Sequence, residues 1–262
     1  RLPTSLFPMI WYQWFQLSYL QSQTGDLAGS ARSLKFFTRD VGELLAPLAA
    51  DDVRRKLLAN PGQAIKAGLQ LDEGQARAAL ATATAAIANT DSVKVQPQSV
   101  GFFFKRNMLD GNLAIASAAA VRSGHFAQGE ALARRWLAVP ADPTSEADSR
   151  TDTSRARSTL AHAIVMQGRN DDARKALQPA LAFYRQEQQA GAKGTTFRLD
   201  YAYALYVSAI STPADAAGRQ QREAVLNEAS ALISGASAEA QKMADLRYVA
   251  GLIAAARTAS RG

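Results

Sequence analysis

Apolar and small side chains recur along this 262-residue chain at steps of three and four. That spacing puts residues on one side of an α-helix. Trp14, Leu17, Ser18 and Gln21 make one such stripe, and Ser30, Leu34 and Phe37 make a second. Between them runs QTGDLAGSARSL, residues 23–34. Gly25 falls just past the first stripe, where a left-handed C-terminal turn needs a residue without Cβ. The spacing predicts a helix–turn–helix corner. Gly25 makes the turn, and Ser30 is small enough for two antiparallel helices to close up.

The corner recurs as SGHFAQGEALA around Gly124 and as QGRNDDARKAL around Gly168. Five residues after each glycine stands a small residue: Ser30, Gly129, Ala173. Four further on come Leu34, Ala133 and Leu177. Before Gly168 lie Leu160, Ala161 and Ile164, and before Gly124 lie Leu113 and Ala120. This pattern resembles the tetratricopeptide repeat, W-x2-L-G-x2-Y followed by A-x3-F. The copies fall at about 11–42, 110–141 and 154–185, with Pro140 near the place of the closing proline. The interval from Gly25 to Gly124 leaves room for two more degenerate units. The extra length between Gly124 and Gly168 falls in VPADPTSEADSRTDTSRA (139–156). That stretch is polar and punctuated by prolines, so it reads as an inter-repeat loop.

The rest of the chain also has helical periodicity. DDVRRKLLA (51–59) is expected to stop at Asn60-Pro61-Gly62, because proline and glycine break helices. DEGQARAALATATAAIA (72–88) has Asp72 and Gln75 at capping-box spacing. TFRLDYAYALYVSAI (196–210) is apolar and aromatic, and Pro213 is placed at the first position of the next helix. A last helix, about 237–257, is expected to cap the array. Only VKVQ (93–96) and VGFFF (100–104) hint at strand. The predicted fold is all-α, one domain over 1–262: a right-handed α-solenoid of antiparallel helical hairpins with a C-terminal capping helix.

Composition adds limits. Hydrophobic residues make up 47% of the chain and aromatics 8%, with mean hydropathy −0.16. That is a globular composition with ample material for a core. The opening LFPMIWYQWFQLSYL (6–20) is too short and too interrupted to span a bilayer. The formal charge is +7, but bases alternate with acids, as in DDVRRK, NDDARK and RQQRE. Such alternation marks solvated helix faces rather than a nucleic-acid footprint. Cysteine is absent, which excludes disulfides and thiolate metal sites but fits cytoplasm and periplasm equally. The start at Arg1 reads as a processed or excised piece. The Ala- and Arg-rich composition points to a GC-rich bacterium.

Motifs for chemistry are scarce. No nucleophile elbow, kinase signature, Walker loop or dinucleotide fingerprint occurs. His125 and His162 are not at ligand spacing from each other, so no metal and no cofactor is expected. Asp51/Asp52 and Asp171/Asp172 read as first-turn acids that complement a helix dipole. FFFK (102–105) cannot point all three rings at one core. It reads as two packed rings and one covering a neighbour, or as an anchor for a partner. The tetratricopeptide resemblance implies a concave groove lined by the first helices of the repeats. It places Tyr12, Phe15 and Tyr19 there from the first copy, and Arg155, Ser158 and His162 from the third. Family members that hold a C-terminal carboxylate present Lys and Asn where this chain has Phe15 and Tyr19. An apolar or aromatic peptide is therefore the expected ligand. The expected role is a non-catalytic protein-interaction module, as a scaffold or as the recognition part of a larger bacterial protein. The alternative is a sensory or regulatory domain, such as that of a receptor kinase, binding a small ligand or envelope component. An enzyme on a helical toroid is the third class.

Overall fold

Among the described residues, five glycines adopt left-handed backbone, with φ of 78° at Gly25, 79° at Gly74, 80° at Gly124, 79° at Gly168 and 90° at Gly191. They set where the helices turn. A computed structural model of the chain describes residues 13, 17–18, 20–22, 24–49, 52–96, 99–141, 146–213 and 215–261. Among these the regular elements are helical and no strand occurs. The helices are α1 (Leu27–Leu45), α2 (Val53–Asp72), α3 (Ala76–Ser92), α4 (Val100–Arg122) and α5 (Phe126–Leu137). There follow α6 (Glu146–Val165), α7 (Asn170–Gln189), α8 (Thr195–Ser211), α9 (Ala216–Ser234) and α10 (Ala244–Arg261), the last after a 3₁₀ turn at Ala240–Lys242. No described helix is long and apolar enough to cross a membrane.

The chain divides into two packed units, Arg1–Ser123 and Gly124–Gly262. In the first, α2 packs on α1 and α3, and α4 packs on both α2 and α3. Phe37, Val41, Leu44 and Leu45 of α1 close on Ile65 of α2, with Leu34 and Leu48 at the margin. Ser18 Oγ meets Ser30 Oγ at 2.8 Å, and Ser33 donates to Gln21 at 2.7 Å, so small polar residues seam the Gly25 corner. Leu17 is not part of that buried seam: it is 41% exposed. The inward side of its helix runs through Ser18 and Gln21 instead. Trp14 lies outside the described residues.

In the second unit each helix from α5 to α10 packs on the next. In addition, α6 reaches α8, and α8 reaches α10. One core runs through it, from Ala133 through Leu160, Ile164, Leu177, Tyr184, Tyr201 and Leu226 to Ile253. Glu130 of α5 ties the α6–α7 turn, accepting from Arg169 at 2.9 Å and from Gln167 at 2.9 Å.

Local chemistry explains several boundaries. Asp26 caps α1 by accepting from Gly29 N at 2.8 Å, and Asp215 caps α9 by accepting from Gly218 N at 2.7 Å. In both, the residue three on is glycine for a steric reason. A Cβ would overlap the Asp26 carboxylate at Gly29 and the Pro213 carbonyl at Gly218. Helix α9 thus begins after Asp215, and Pro213 precedes the cap instead of opening the helix.

Four further expectations change. Asn60-Pro61-Gly62 does not end a helix, because α2 runs through it to Asp72. A proline inside a helix costs about 3 kcal/mol, and packing from both sides offsets it here. Phe37 lies so close to Gly62 that a Cβ there would sit 2.9 Å from its ring. The buried Asn60 side chain donates to Thr90 at 2.7 Å. Second, the interval between Gly25 and Gly124 holds one further corner, not two. Gly74 makes it, followed by fully buried Ala79 and Ala83 at the same offsets as in the other copies. Asp72 therefore ends α2, and Gln75 is the N-cap position of α3 without a side-chain cap bond. Third, residues 146–156, expected as loop, form the first half of α6. Fourth, 93–96 has no regular structure and 100–104 begins α4, so neither strand hint survives. Phe102 and Phe104 are half-buried there. The first-turn acids Asp171 and Asp172 of α7 lie where expected.

At Gly168 no atom lies within 4 Å of where a Cβ would sit, so only the backbone conformation constrains it. Gly168→Val should cost roughly 1 kcal/mol or more, because a β-branched residue resists positive φ. Ala173, fully buried in α7, should lose ~1–3 kcal/mol as Ala173→Leu through overpacking. Thermal melts of both variants check this, and parent-like melts would contradict the corner.

Candidate functional site

In α6, Asp152, Arg155, Ser158, Thr159 and His162 follow one another at helical steps and share one face. That face meets α8, whose TTFRLDYAYALYVSAIS places Asp200 inside an apolar, aromatic run. The buried partners decide the chemistry. Arg155 Nε donates to Asp200 Oδ2 over 2.6 Å, while its NH1 stands 3.5 Å from Asp152. Two turns along α6, His162 Nδ1 hydrogen-bonds the Tyr203 hydroxyl at 2.7 Å. The imidazole meets the Tyr203 and Tyr206 rings edge-on, at 5.6 and 5.4 Å between centroids. Helix α7 contributes Tyr184, stacked on Tyr201 at 5.7 Å and edge-on to Phe197 at 6.3 Å. Tyr201 in turn donates to Glu228 at 2.9 Å.

Burial dominates the electrostatics. It pushes the Asp200 carboxyl up to about 6, against the pull of the Arg155 guanidinium, and the carboxylates of Asp245 and Asp152 add to the rise. Burial also brings His162 down to about 4, so the imidazole is neutral around pH 7. Tyr184 is held well above the ordinary phenol range by burial and by Asp200, with Arg155 and Ser158 partly opposing. Its hydroxyl is fully buried, with the Ser158 hydroxyl beside it. Burial works against the charge on Arg155, but Asp200 and Asp152 more than restore it.

Of the residues the sequence assigned to a groove, Tyr12, Phe15 and Tyr19 lie outside the described residues. Arg155, Ser158 and His162 do come together on one stripe of α6. Ser158 and His162 are buried at 1% and 3% exposure, with Ser158 donating to the Ser154 carbonyl at 3.0 Å. Arg155 keeps a solvent edge, with 34% of its side chain exposed. His125 sits exposed at the N-cap position of α5. The periodicity did not reveal Asp200, Tyr184, Tyr201 or Tyr203. One signal was available: a lone aspartate amid RLDYAYALYV must find a partner when that helix is buried.

No family model, curated protein or solved structure matches the chain.

Two buried groups titrate against each other. His162 binds its proton less readily folded than at its ordinary 6.5, so stability is lost as pH falls from 6.5 towards 4. Asp200 binds its proton more readily folded than at its ordinary 3.8, so stability is lost as pH rises from 3.8 towards 6. Relative to the parent, His162→Gln should therefore gain stability on acidification from pH 6.5 to 4. Asp200→Asn should lose it over the same window. Denaturant midpoints measured across that range check both signs, and three parallel profiles would refute the assignment.

Proposed function

We propose that the chain is a non-catalytic protein-interaction module, a scaffold or the recognition part of a larger bacterial protein. Its plan is a right-handed α-solenoid of antiparallel hairpins. One observation carries this reading. At Gly25, Gly74, Gly124 and Gly168 the same left-handed turn is followed, five residues on, by a buried small residue: Ser30, Ala79, Gly129 and Ala173. A hairpin of two helices cannot bury its apolar face alone. Repetition of the hairpin offers each one a neighbour, and stacked hairpins present an extended concave surface. The turns are 49, 50 and 44 residues apart, longer than the roughly 34-residue tetratricopeptide period. The helices themselves are longer, up to the 23 residues of α4. In this reading the repeat plan is kept with enlarged units.

The ligand in this reading is a peptide segment of a partner protein. Tyr12, Phe15 and Tyr19 supply its aromatic contacts, because such side chains offer large area at low entropic cost and hot spots are rich in tyrosine. Selection from a phage-displayed random peptide library should enrich binders to this chain over an unrelated helical protein. Phe15→Ala and Tyr19→Ala should each weaken the selected peptides by ~1–3 kcal/mol while the melting temperature holds. No enrichment, or a Phe15→Ala chain that unfolds, would sink the groove.

A further inference from the structure

Among the described residues, the large apolar side chains left exposed are Leu17, Leu20, Phe36 and Met166, and Leu20 is the most exposed, at 57%. Two of these four share one side of the helix that precedes Gly25. The inner sides of that helix are accounted for. Ser18 meets Ser30, Gln21 accepts from Ser33, and Ser22 donates to Asp72 of α2. Leu17 and Leu20 lie off those sides, in a stripe with Gln13 and Thr24, and all four are exposed. The steps along the stripe are four, three and four, which is the spacing of a seam between two helices. We propose that this stripe is a contact between two copies of the chain, an antiparallel helix pair about a two-fold axis.

Charge selects a second copy. Charged residues make up 20% of the chain, yet none occurs from 2 to 25. Each copy carries a formal +7, so two copies repel wherever basic residues meet. Near the corner the exposed face of α1 carries Arg32 and Lys35, and Phe36 beside them already lies under the Arg39 guanidinium, 5.2 Å from its ring. On the uncharged stripe that repulsion is least. The stripe gives a charged partner nothing to pair with, whereas a second copy presents the same apolar, uncharged surface. With the axis between Leu17 and Leu20, each Leu17 meets the other copy's Leu20, and each Gln13 falls beside a Thr24. Thr24 turns its hydroxyl back to the Leu20 and Gln21 carbonyls, at 3.1 and 3.0 Å, so the seam ends there with that hydroxyl already bonded. Two leucines per copy bury little area, so the pair is weak and reversible. The contact stands whether or not the chain binds peptides.

Sedimentation equilibrium of the whole chain tests the contact. A reversible dimer should form with a dissociation constant of roughly 100 µM. It should tighten from about 0.05 to about 0.5 M sodium chloride, as screening removes the repulsion between the two copies. Leu17→Gln and Leu20→Gln each act twice in a two-fold pair, so each should raise the constant roughly tenfold. Melting of the dilute variants should match the parent, because both side chains are exposed. A parent that stays monomeric at roughly 500 µM in both salts overturns the contact, even if Leu20 proves to anchor the chain on phosphatidylcholine vesicles instead. A dimer that persists unchanged in the two leucine variants, or that loosens as salt rises, also overturns it, and leaves the peptide-binding role standing.

Discussion

The close approach of helices through small side chains constrains everything else in this chain. Ala67, Ala79, Ala83, Ala86, Ala116, Ala119, Ala133, Ala161, Ala173, Ala180, Ala202, Ala204 and Ala229 have no exposed surface. A buried methyl contributes only about 0.8 kcal/mol of transfer free energy. An alanine seam therefore works by letting backbones come near and dispersion contacts multiply, not by the area each side chain hides. Close packing leaves few tolerable substitutions. It also requires the chain to reverse within two or three residues, which left-handed glycine permits. Turn and seam are one device: without the sharp corner the small residues do not face each other, and without them the corner has nothing to close.

That coupling explains what was legible. A glycine at positive φ and a small residue five positions on leave a mark at fixed spacing, so the corners at Gly25, Gly124 and Gly168 could be read directly. Gly74 was hidden because Asp72 and Gln75 imitate a capping box, and the imitation moved the helix start across the turn. Pro61 misled for the opposite reason. Local propensity argued for a stop, but Phe37 over Gly62 and the bond from Asn60 to Thr90 are tertiary contacts, and no local window contains them. Residues 146–156 looked like loop because their helix exposes a polar face, and polarity alone does not separate the two.

The candidate site was half legible. Register put Arg155, Ser158 and His162 on one stripe, which the fold keeps. Register could not say what covers that stripe, because the cover is α8, 45 residues on from Arg155 to Asp200. A helix-period reading assigns faces, and only packing assigns neighbours. The aromatic stack of Tyr184 on Tyr201 joins α7 to α8 by the same long-range logic.

Why would a seam built from alanine admit an aspartate, an arginine, a histidine and four tyrosines at one crossing? Stability alone does not favour it, since a buried ion pair seldom outperforms well-packed apolar residues. Asp200 keeps its charge against the cost of burial, with Arg155 as its partner, and Tyr184 buries its hydroxyl. His162, by contrast, is neutral and partnered, so that end of the crossing is ordinary structure. The cost is concentrated at the end that reaches solvent, where Arg155 and Asp152 are part-exposed. An ion pair at the rim of an otherwise close-packed seam rewards one register of α6 against α8, a specificity that interchangeable alanines do not supply.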